Sequence, residues 1–355
     1  MTFAAVARHR GVDTTVRHDE RALWAAAVAG ERDAFSRITG RYRRELQVHC
    51  YRMLGSLEDA EDLVQETLLR AWRRRETYQQ RSTLRAWLYG IATNACLDAL
   101  EKRSRRLLPT EVVPPADPLA PTPPASEIAW LGPYPDTLLD EVVDDSAGPE
   151  ELAFAQETIE LAFLVAIQHL PPRQRAVLIL RDLLNWTASE TARMLDMTVV
   201  AANSALQRAR DTLARRLPSE RASWARAEVA DPQEQVLLQR YVEAWERYDV
   251  DGLVELLAED ARFAMPPMTA WYAGRGAIGT FLATHPLSGR LPRHIRVPTR
   301  ANRQPAFAIF FEGEHGAPPQ PVGIEVFRIE GGLIAEVDVF LQPELVAAFA
   351  ITPPA

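Results

Sequence analysis

The chain has 355 residues, 47% of them hydrophobic and 25% charged, and its 48 acidic against 40 basic side chains give a net charge of −8. This length allows two or three domains that each bury a core. No apolar run is long enough to cross a bilayer, the N-terminus lacks the hydrophobic stretch of a secretion signal, and Cys50 and Cys96 have no metal-ligand spacing. We therefore expect a cytoplasmic protein without a metal or a cofactor.

The net charge hides a strong segregation along the chain. Residues 1–106 carry 20 basic and 14 acidic side chains, whereas residues 107–160 carry 12 acidic side chains and no basic one. Residues 161–218 carry 8 basic against 4 acidic side chains, and residues 219–355 carry 12 against 18. Two basic blocks joined by an acidic segment are a better guide to partners than the overall charge.

After a tail at residues 1–19, residues 20–106 have helical periodicity and predict an all-α domain. The stretch "DAEDLVQETLLRAWRRRETY" (59–78) reads as a helix whose outer face carries Asp62, Gln65, Glu66 and Leu69. A leucine among acids predicts contact with a basic protein partner, because Asp62 and Glu66 would repel phosphates. The alternative is an ordinary solvated face with one stray leucine.

The next stretch, "STLRAWLYGIATNACLDALEKRSRR" (82–106), predicts a helix that ends in a basic cluster with Lys102 and Arg103. Trp87 and Asn94, seven residues apart, lie along one edge of its core stripe. An aromatic ring, an amide and several cations on one helix suit the capture of a single DNA strand. The alternative is a core tryptophan, a polar filler and a solvated last turn.

Residues 107–150 predict an acidic, proline-rich linker, with nine prolines between Leu107 and Pro135 that exclude continuous helix. Such a segment is compatible with a disordered, solvated tether. Its stretch "WLGPYPD" (130–136) does not fit that description, because Trp130, Leu131 and Tyr134 need a surface on which to dock.

Helical periodicity returns over residues 151–218 and predicts a helix-turn-helix. Thr187 and Glu190 form a capping box that starts the first helix, and Thr198 is a good N-cap for the second. The predicted inner face of the second helix consists of Val199, Ala202, Leu206, Ala209 and Leu213.

Ser204 and Arg208 lie on the opposite face of this second helix. In a DNA major groove Arg208 can bond a guanine edge with two hydrogen bonds, and Arg210 is placed for phosphates. The alternative is an ordinary helical hairpin with a solvated basic face.

A third unit is predicted over residues 231–350. It opens with the amphipathic helix "EQVLLQRYVEAWERY", and β-type runs follow near 294–299, 304–311, 322–329 and 333–341. Gly331-Gly332 predicts a hairpin between the last two runs.

Three stretches together resemble an extracytoplasmic-function (ECF) sigma factor of RNA polymerase. They are "DAFSRITGRYRRELQVHCYRMLGSLEDAEDLVQETLLRAW", "LRAWLYGIATNACLDALEKRSRR" and "LPPRQRAVLILRDLLNWTASETARMLDMTVVAANSALQRARDTL". The resemblance implies two helical domains, called sigma domains two and four, that bind core RNA polymerase and read a two-part promoter as duplex and as melted non-template strand. It also implies that the acidic linker threads the polymerase channel later occupied by RNA.

The resemblance implies a role for individual residues as well. The polymerase-docking positions are Asp62, Gln65 and Glu66, and we add Leu69 from the same helix face. The positions for the minus-ten element are the loop Tyr78–Thr83, which contains Arg81, together with Trp87 and Asn94, and we add Lys102 and Arg103 from the basic cluster. The positions for the minus-thirty-five element are Ser204, Gln207 and Arg208, and we add Thr198, Asn203 and Arg210 from the same helix. Two departures from the family, Asn203 and Ala205 in place of basic residues, predict fewer phosphate contacts.

The C-terminal unit resembles a SnoaL-like domain, a cone of helices on a curved antiparallel sheet, which is present in a long subgroup of ECF sigma factors. Such cones enclose an apolar pocket for a small ligand. The candidate lining residues are Trp271, Tyr272, His285, Phe310 and Asp338. We expect a regulatory rather than a catalytic module that acts on the sigma domains in cis. Two alternatives stay open: a stand-alone helix-turn-helix regulator, and an enzyme or ligand sensor built on the C-terminal domain.

Overall fold

The first part of the fold is a helical unit. The computed structural model describes residues 21–78, 83–102, 104–140, 159–217 and 232–353. Residues 21–28 are helical, and then follow α1 (Arg32–Gly40), α2 (Arg43–Leu54), α3 (Leu57–Arg73) and α4 (Leu84–Leu100). Gly55 ends α2 at a φ of +74°, a conformation that favours glycine. Ser56 starts α3 by accepting a hydrogen bond from the Asp59 amide.

The acidic linker, as far as residues 104–140 describe it, lies against the rest of the chain. Its regular elements are a 3-10 turn at Pro109–Glu111 and the short helix α5 (Asp136–Asp140). Isolated β-bridges hold it at three places, pairing Leu107 with Trp130, Ala125 with Met268, and Pro135 with Ala301. The predicted tail 1–19 and residues 141–158 lie outside the described residues.

The second helical unit comprises α6 (Leu161–Gln168), α7 (Pro172–Leu178), a π-helical turn (Ile179–Leu183), α8 (Ala188–Met194) and α9 (Val199–Arg216). The predicted capping box is present, because the Thr187 side chain accepts from the Glu190 amide and the Glu190 carboxylate accepts from the Thr187 amide at 2.9 Å. The Thr187 hydroxyl also donates to this carboxylate, at 2.6 Å, and the two bonds that the carboxylate accepts lower the pKa of Glu190. Thr198 caps α9 by accepting from the Ala201 amide at 3.1 Å.

Arg175 on α7 joins the two helical units. Its guanidinium is 1% exposed and donates to the Gln168 side-chain oxygen, to the carbonyls of Ile167, Gln168 and Leu170, and to the carbonyl of Met53 on α2. All of these acceptors are uncharged. Burial lowers the pKa of Arg175 to about 9. A buried cation on one unit is thus hydrogen-bonded by a carbonyl of the other.

The C-terminal unit is a six-stranded sheet with three helices on its inner face and a short fourth helix on its outer face. Its helices are α10 (Pro232–Glu246), α11 (Val250–Glu255), α12 (Arg275–Thr284) and α13 (Pro343–Ala348). Its strands are β1 (Leu257–Ala264), β2 (Trp271–Ala273), β3 (His294–Ala301), β4 (Gln304–Phe311), β5 (Gln320–Glu330) and β6 (Leu333–Phe340). The predicted hairpin is present between β5 and β6, and both Gly331 and Gly332 have positive φ.

The sheet is mixed rather than wholly antiparallel as expected. Its strand order is β2-β1-β6-β5-β4-β3, and β1 pairs with β6 in parallel. The reason is the long path from β1 through α12 and the other strands, which lets β6 return beside β1 in the same direction.

Both faces of the sheet are buried. The inner face, with Phe263, Ile309 and Phe327, packs with α10 to α12 in one core. The outer face, with Phe310 and Phe340, belongs to a second core that is continuous with the two helical units. The sheet therefore forms one wall of the helical part of the molecule.

Candidate nucleic-acid interface

Helix α9 presents an open polar face. Its Asn203, Ser204, Gln207 and Arg208 side chains are exposed, while Ala202, Ala205, Leu206, Ala209 and Leu213 are buried. The Gln207 amide donates to the Asp211 carboxylate at 2.9 Å, one turn along the helix. An exposed helix of this kind, held by a capped partner helix, can enter a major groove.

Two details of α9 differ from the expectations. Val199 was expected on the inner face but is 41% exposed, because it lies in the first turn where the helix projects past its core. Ala205 is 4% exposed and faces the core. A basic residue at position 205 would therefore point into the core, so its absence removes no phosphate contact.

Two arginines beyond Arg208, Arg210 and Arg216, are paired with acidic side chains of the same chain. Arg210 makes a two-point ion pair with Asp182 at 2.7 and 2.9 Å, which raises the pKa of Arg210. Arg216 lies 3.4 Å from the Glu111 carboxylate of the linker. Exposed ion pairs of this kind contribute little energy and exchange readily for phosphate. Thr198, also predicted to contact DNA, is exposed as the N-cap of α9.

The second predicted DNA surface is a cleft of about 1200 Å³ beside α4. Trp87 and Tyr78 line it, and Trp24 packs edge-on against both rings at 5.5 and 5.1 Å. Asn94 is exposed and lines the same cleft, and Lys102 is exposed beyond the end of α4. Arg81 and Arg103 lie outside the described residues.

Sequence reasoning missed two groups in this cleft. Trp24 belongs to the helical stretch at 21–28, whose "RALWAAAVAG" signals an apolar face but not its partner. Arg21, Arg74 and Arg193 also line the cleft. Aromatic rings, an amide and cations together form a surface suited to unpaired bases and phosphates.

Helix α8 of the second helical unit closes one side of this cleft. Met194 approaches Gly90 and lies 3.9 Å from the Thr93 hydroxyl on α4. Trp186 packs against Tyr89 with ring centroids 5.5 Å apart and ring planes tilted by 54°. The surface around Trp87 and Asn94 therefore faces another part of the same chain.

The outer face of α3 is open. Asp62, Gln65 and Leu69 are exposed, Leu69 by 51%, and Glu66 is half-buried. Glu66 accepts from Arg70 at 2.7 Å, and Arg70 also bonds Asp98. A large apolar side chain among carboxylates is a suitable docking surface for a protein partner.

The linker residues Trp130, Leu131 and Tyr134 are all buried. The Trp130 indole donates to the Pro267 carbonyl of the C-terminal unit at 3.0 Å. Leu131 packs over Gly55, where an added Cβ would lie 2.6 Å from the leucine side chain. The linker is thus held between the first helical unit and the C-terminal unit.

Asn302 is the point where three parts of the chain meet. It lies in the β3–β4 turn at a φ of +57° and is 0% exposed. Its side-chain oxygen accepts from the Tyr134 amide, and its side-chain nitrogen donates to the Tyr51 hydroxyl and to the Ile159 carbonyl, all at 2.8 Å. Its backbone amide donates to the Tyr134 carbonyl at 2.9 Å. No local sequence pattern points to these contacts.

A cavity of about 360 Å³ lies inside the cone, and of the five predicted lining residues it includes only His285. Tyr272 fills the core and stacks on Phe281. The half-buried Trp271 donates from its indole to the Val113 carbonyl of the linker. The prediction is also corrected for Phe310 and Asp338, because successive side chains of a β-strand point to opposite faces of the sheet. Phe310 and Asp338 point to the outer face, where burial raises the pKa of Asp338 well above its usual value.

The chemistry that the cavity does contain is a buried ion pair. Arg296 donates to Glu325 at 3.0 Å, and their side chains are 2% and 1% exposed. Tyr241 donates to the other Glu325 oxygen at 2.7 Å. Histidine, cysteine and carboxylate side chains form no group of three fit for a metal ion anywhere in the described ranges. Across those same residues, no helix combines the length and apolarity that a membrane crossing requires.

Comparison with known proteins assigns a family model to each unit. The sigma-70 region 2 model matches residues 38–106, the sigma-70 region 4 model matches residues 160–213, and the SnoaL-like domain model matches residues 238–337. Over 326 residues the chain is 45% identical to the ECF RNA polymerase sigma factor SigG of Mycobacterium tuberculosis, covering 90% of this chain and 84% of that protein.

Other relatives resemble shorter or more distant parts. The chain is 28% identical over 191 residues to the ECF sigma factor SigW of Bacillus subtilis, which covers 53% of this chain and 91% of SigW. The crystal structure of the Mycobacterium tuberculosis ECF sigma factor SigJ has the same fold, with a TM-score of 0.52 at 20% identity over 87% of this chain and 97% of that chain.

Proposed function

This chain belongs to the ECF sigma factors, and from that premise we propose that it binds core RNA polymerase through α3 and directs it to promoters through α4 and α9. The observation that carries the proposal is the open face of α3. Leu69 is 51% exposed beside Asp62 and Glu66, and within the described part of the chain no contact covers it. The stand-alone regulator considered above leaves this face without a use.

The docking role is tested by a charge reversal on α3. Purified Glu66→Arg is compared with wild type in a pull-down on core RNA polymerase. Glu58→Arg is the matched control, because Glu58 is an exposed acid in the first turn of the same helix. We expect Glu66→Arg to reduce recovery about tenfold, equivalent to about 1.4 kcal/mol, and Glu58→Arg to leave recovery unchanged. Equal recovery of all three proteins would contradict the proposal.

The DNA part of the proposal divides between two surfaces. The exposed face of α9, centred on Arg208, reads the minus-thirty-five duplex in its major groove. The cleft beside α4 holds the melted non-template strand of the minus-ten element, with Trp87 as a stacking ring and Asn94 as an amide for a base edge. Both partners, polymerase and chromosome, lie in the bacterial cytoplasm, and the proposal places the chain there.

We also propose that the C-terminal domain regulates the sigma domains in cis. In the structure, α8 closes one side of the minus-ten cleft, and Asn302 fixes the linker, the first helical unit and the start of the second. A strand of DNA entering the cleft has to displace α8. The C-terminal domain therefore stabilises a closed form that competes with promoter binding.

The proposal gives the C-terminal domain no catalytic role. Among the described residues that line its cavity, Glu325 is the one carboxylate, and Arg296 and Tyr241 occupy both of its oxygens. Of the two histidines in the lining, His294 is a weak base because burial and Arg296 lower its pKa to about 4, and the Nδ1 of His285 lies 3.0 Å from the Thr284 hydroxyl. A general base needs a lone pair aimed at the substrate. Incubating the protein with any identified ligand and recovering a chemically altered product would contradict this part.

A further inference from the structure

Two valines in the first turn of α9 are exposed, and neither has a part in the function proposed above. Val199 is 41% exposed, and Val200 is 75% exposed, more than any other large apolar side chain that the structure describes. A single apolar side chain on a surface is common. Val200 differs in its position, because it lies one helical turn before Ser204 and two turns before Arg208 on the same exposed face.

The charges near Val200 along the chain favour DNA over a basic protein partner. Residues 197–210 contain no acidic side chain, whereas Leu69 on α3 lies among carboxylates. The flanking acids are Asp196, in the turn before the helix, and Asp211, which accepts from the Gln207 amide. The part of α9 that carries Val200 can therefore approach phosphates with little electrostatic repulsion.

The chemistry of the major groove restricts what Val200 can contact there. Base edges in this groove present hydrogen-bonding groups and, on thymine alone, a methyl group. The valine side chain has neither a donor nor an acceptor, so covering a polar base edge with it costs free energy. Covering a methyl group removes apolar surface from water and is favourable. The branched side chain also has few rotamers, so it loses little entropy in such a contact.

Helix geometry relates this contact to the one made by Arg208. The eight residues from Val200 to Arg208 advance about 12 Å along the helix axis, and base pairs are stacked about 3.4 Å apart. A helix lying along the groove therefore brings Val200 within about four base pairs of the pair that Arg208 contacts. The N-terminal residues of the second helix are the ones that reach base edges in helix-turn-helix proteins, and Val200 is among them.

We propose that Val200 selects a thymine in the minus-thirty-five element by covering its C5 methyl group, within about four base pairs of the pair that Arg208 contacts. This inference rests on the proposed function of α9. It adds a base preference that does not depend on a hydrogen bond.

The experiment uses the polymerase holoenzyme formed with the full-length chain. The holoenzyme selects duplexes from a pool that is randomised over the minus-thirty-five element. Each thymine of the selected sequence, on either strand, is then replaced by deoxyuridine, which lacks only the methyl group. We expect one replacement within the stated distance to weaken binding about fourfold, equivalent to about 0.8 kcal/mol for one buried methyl group. Unchanged binding after every replacement would overturn the proposal.

A pair of matched variants assigns the effect to Val200. Val200→Ser removes the two methyl groups at an exposed position, and Val236→Ser makes the same change at a 58% exposed valine of α10. We expect the Val200→Ser holoenzyme to bind the thymine and deoxyuridine duplexes equally and the Val236→Ser holoenzyme to retain the difference. A retained difference in Val200→Ser would overturn the assignment, and so would reduced recovery of Val200→Ser on core polymerase, which would indicate a protein contact.

The selection separates this inference from the proposed function on which it rests. If the wild-type holoenzyme enriches no sequence, the proposed function of α9 is wrong and the role of Val200 is wrong with it. If a sequence is enriched but deoxyuridine has no effect at any position, only the role of Val200 is wrong.

Discussion

Glu325 shows at the level of one residue how a buried charge depends on its partners. Arg296 is 3.0 Å away, and both side chains are almost fully buried. Replacing Glu325 with leucine leaves the Arg296 cation buried without a counter-charge, so we expect a loss of about 3–5 kcal/mol in the free energy of unfolding. Urea unfolding followed by circular dichroism measures it. Glu330→Leu removes a half-exposed partner of Arg328 on the same strand and should cost less than about 1 kcal/mol.

His49 makes the stability of the first helical unit depend on pH. The Thr93 hydroxyl donates to the Tyr89 carbonyl, so the Thr93 oxygen accepts a hydrogen bond from His49 Nε2 at 2.9 Å. Burial and two nearby arginines lower the pKa of His49 to about 3, against 6.5 when unfolded. Between pH 3 and pH 6.5 the unfolded chain binds a proton at His49 that the folded chain does not bind. The free energy of unfolding therefore has its full value above pH 6.5 and decreases as the pH falls.

From this pKa shift we expect the free energy of unfolding to be about 2 kcal/mol lower at pH 5 than at pH 7. Urea unfolding at the two pH values checks it. His49→Gln should show a smaller loss between the two pH values than the wild type. His315→Gln, a change at an exposed histidine of the C-terminal domain, should retain the full wild-type loss. Identical pH dependence in His49→Gln and wild type would contradict the assignment.

At the scale of an element, the proposed function gives two arginines of α9 different roles, Arg208 as a base contact and Arg210 as a phosphate contact. Arg208 is exposed on the polar face, while Arg210 is bound by Asp182. We expect Arg208→Ala to weaken promoter binding by about 1–3 kcal/mol and to reduce discrimination at one base pair of the minus-thirty-five element. Arg210→Ala should weaken all sequences to a similar, smaller extent.

The measurement is binding of the polymerase holoenzyme to a set of promoters with single base-pair changes at the minus-thirty-five element. Salt is held constant throughout, because phosphate contacts depend on it. If Arg208→Ala reduced binding equally at every sequence, Arg208 would be a phosphate contact and the assignment would be wrong.

At the scale of the whole molecule, the proposed closed form can be tested at Asn302. Asn302→Gly removes three side-chain hydrogen bonds, worth about 1 kcal/mol each, and tolerates the positive φ. We expect this variant to open the minus-ten cleft and to raise promoter-dependent transcription with purified core polymerase. Asn185→Gly is the matched control, because Asn185 also has a positive φ but is exposed within the second helical unit.

Two further results bear on the closed arrangement. Deletion of residues 219–355 removes the whole C-terminal domain, and unchanged transcription after that deletion would rule out regulation in cis. If Asn302→Gly and Asn185→Gly transcribe at the wild-type level, Asn302 does not hold the closed form.

Local patterns predicted the elements well, because the interactions that define them are local. The capping box at Thr187 and Glu190 joins residues three apart, and the Gly331-Gly332 hairpin needs only two residues with positive φ. The family resemblance supplied the domain order. Neither the local patterns nor the resemblance could predict the contacts of Asn302, because its partners Tyr134 and Tyr51 lie 168 and 251 positions away in the chain.

The sequence predicted a cavity in the C-terminal domain but not most of the residues that line it. Choosing polar and aromatic residues by position took Phe310 and Asp338 from the outer face of the sheet, because strand alternation is fixed only once the β-bulges are known. The sequence did not indicate that Arg296 and Glu325 are buried in the cavity wall, because an arginine and a glutamate on strands usually face solvent.

The uncharged surroundings of Arg175 have a consequence for the effect of ionic strength. Dissolved ions weaken the attraction between arginine and phosphate, but they hardly reach a guanidinium enclosed by amide and carbonyl oxygens. Concentrated salt should therefore detach the nucleic acid while the two helical units remain joined. Under the cis regulation proposed above, high ionic strength would therefore favour the closed form over the DNA-bound form.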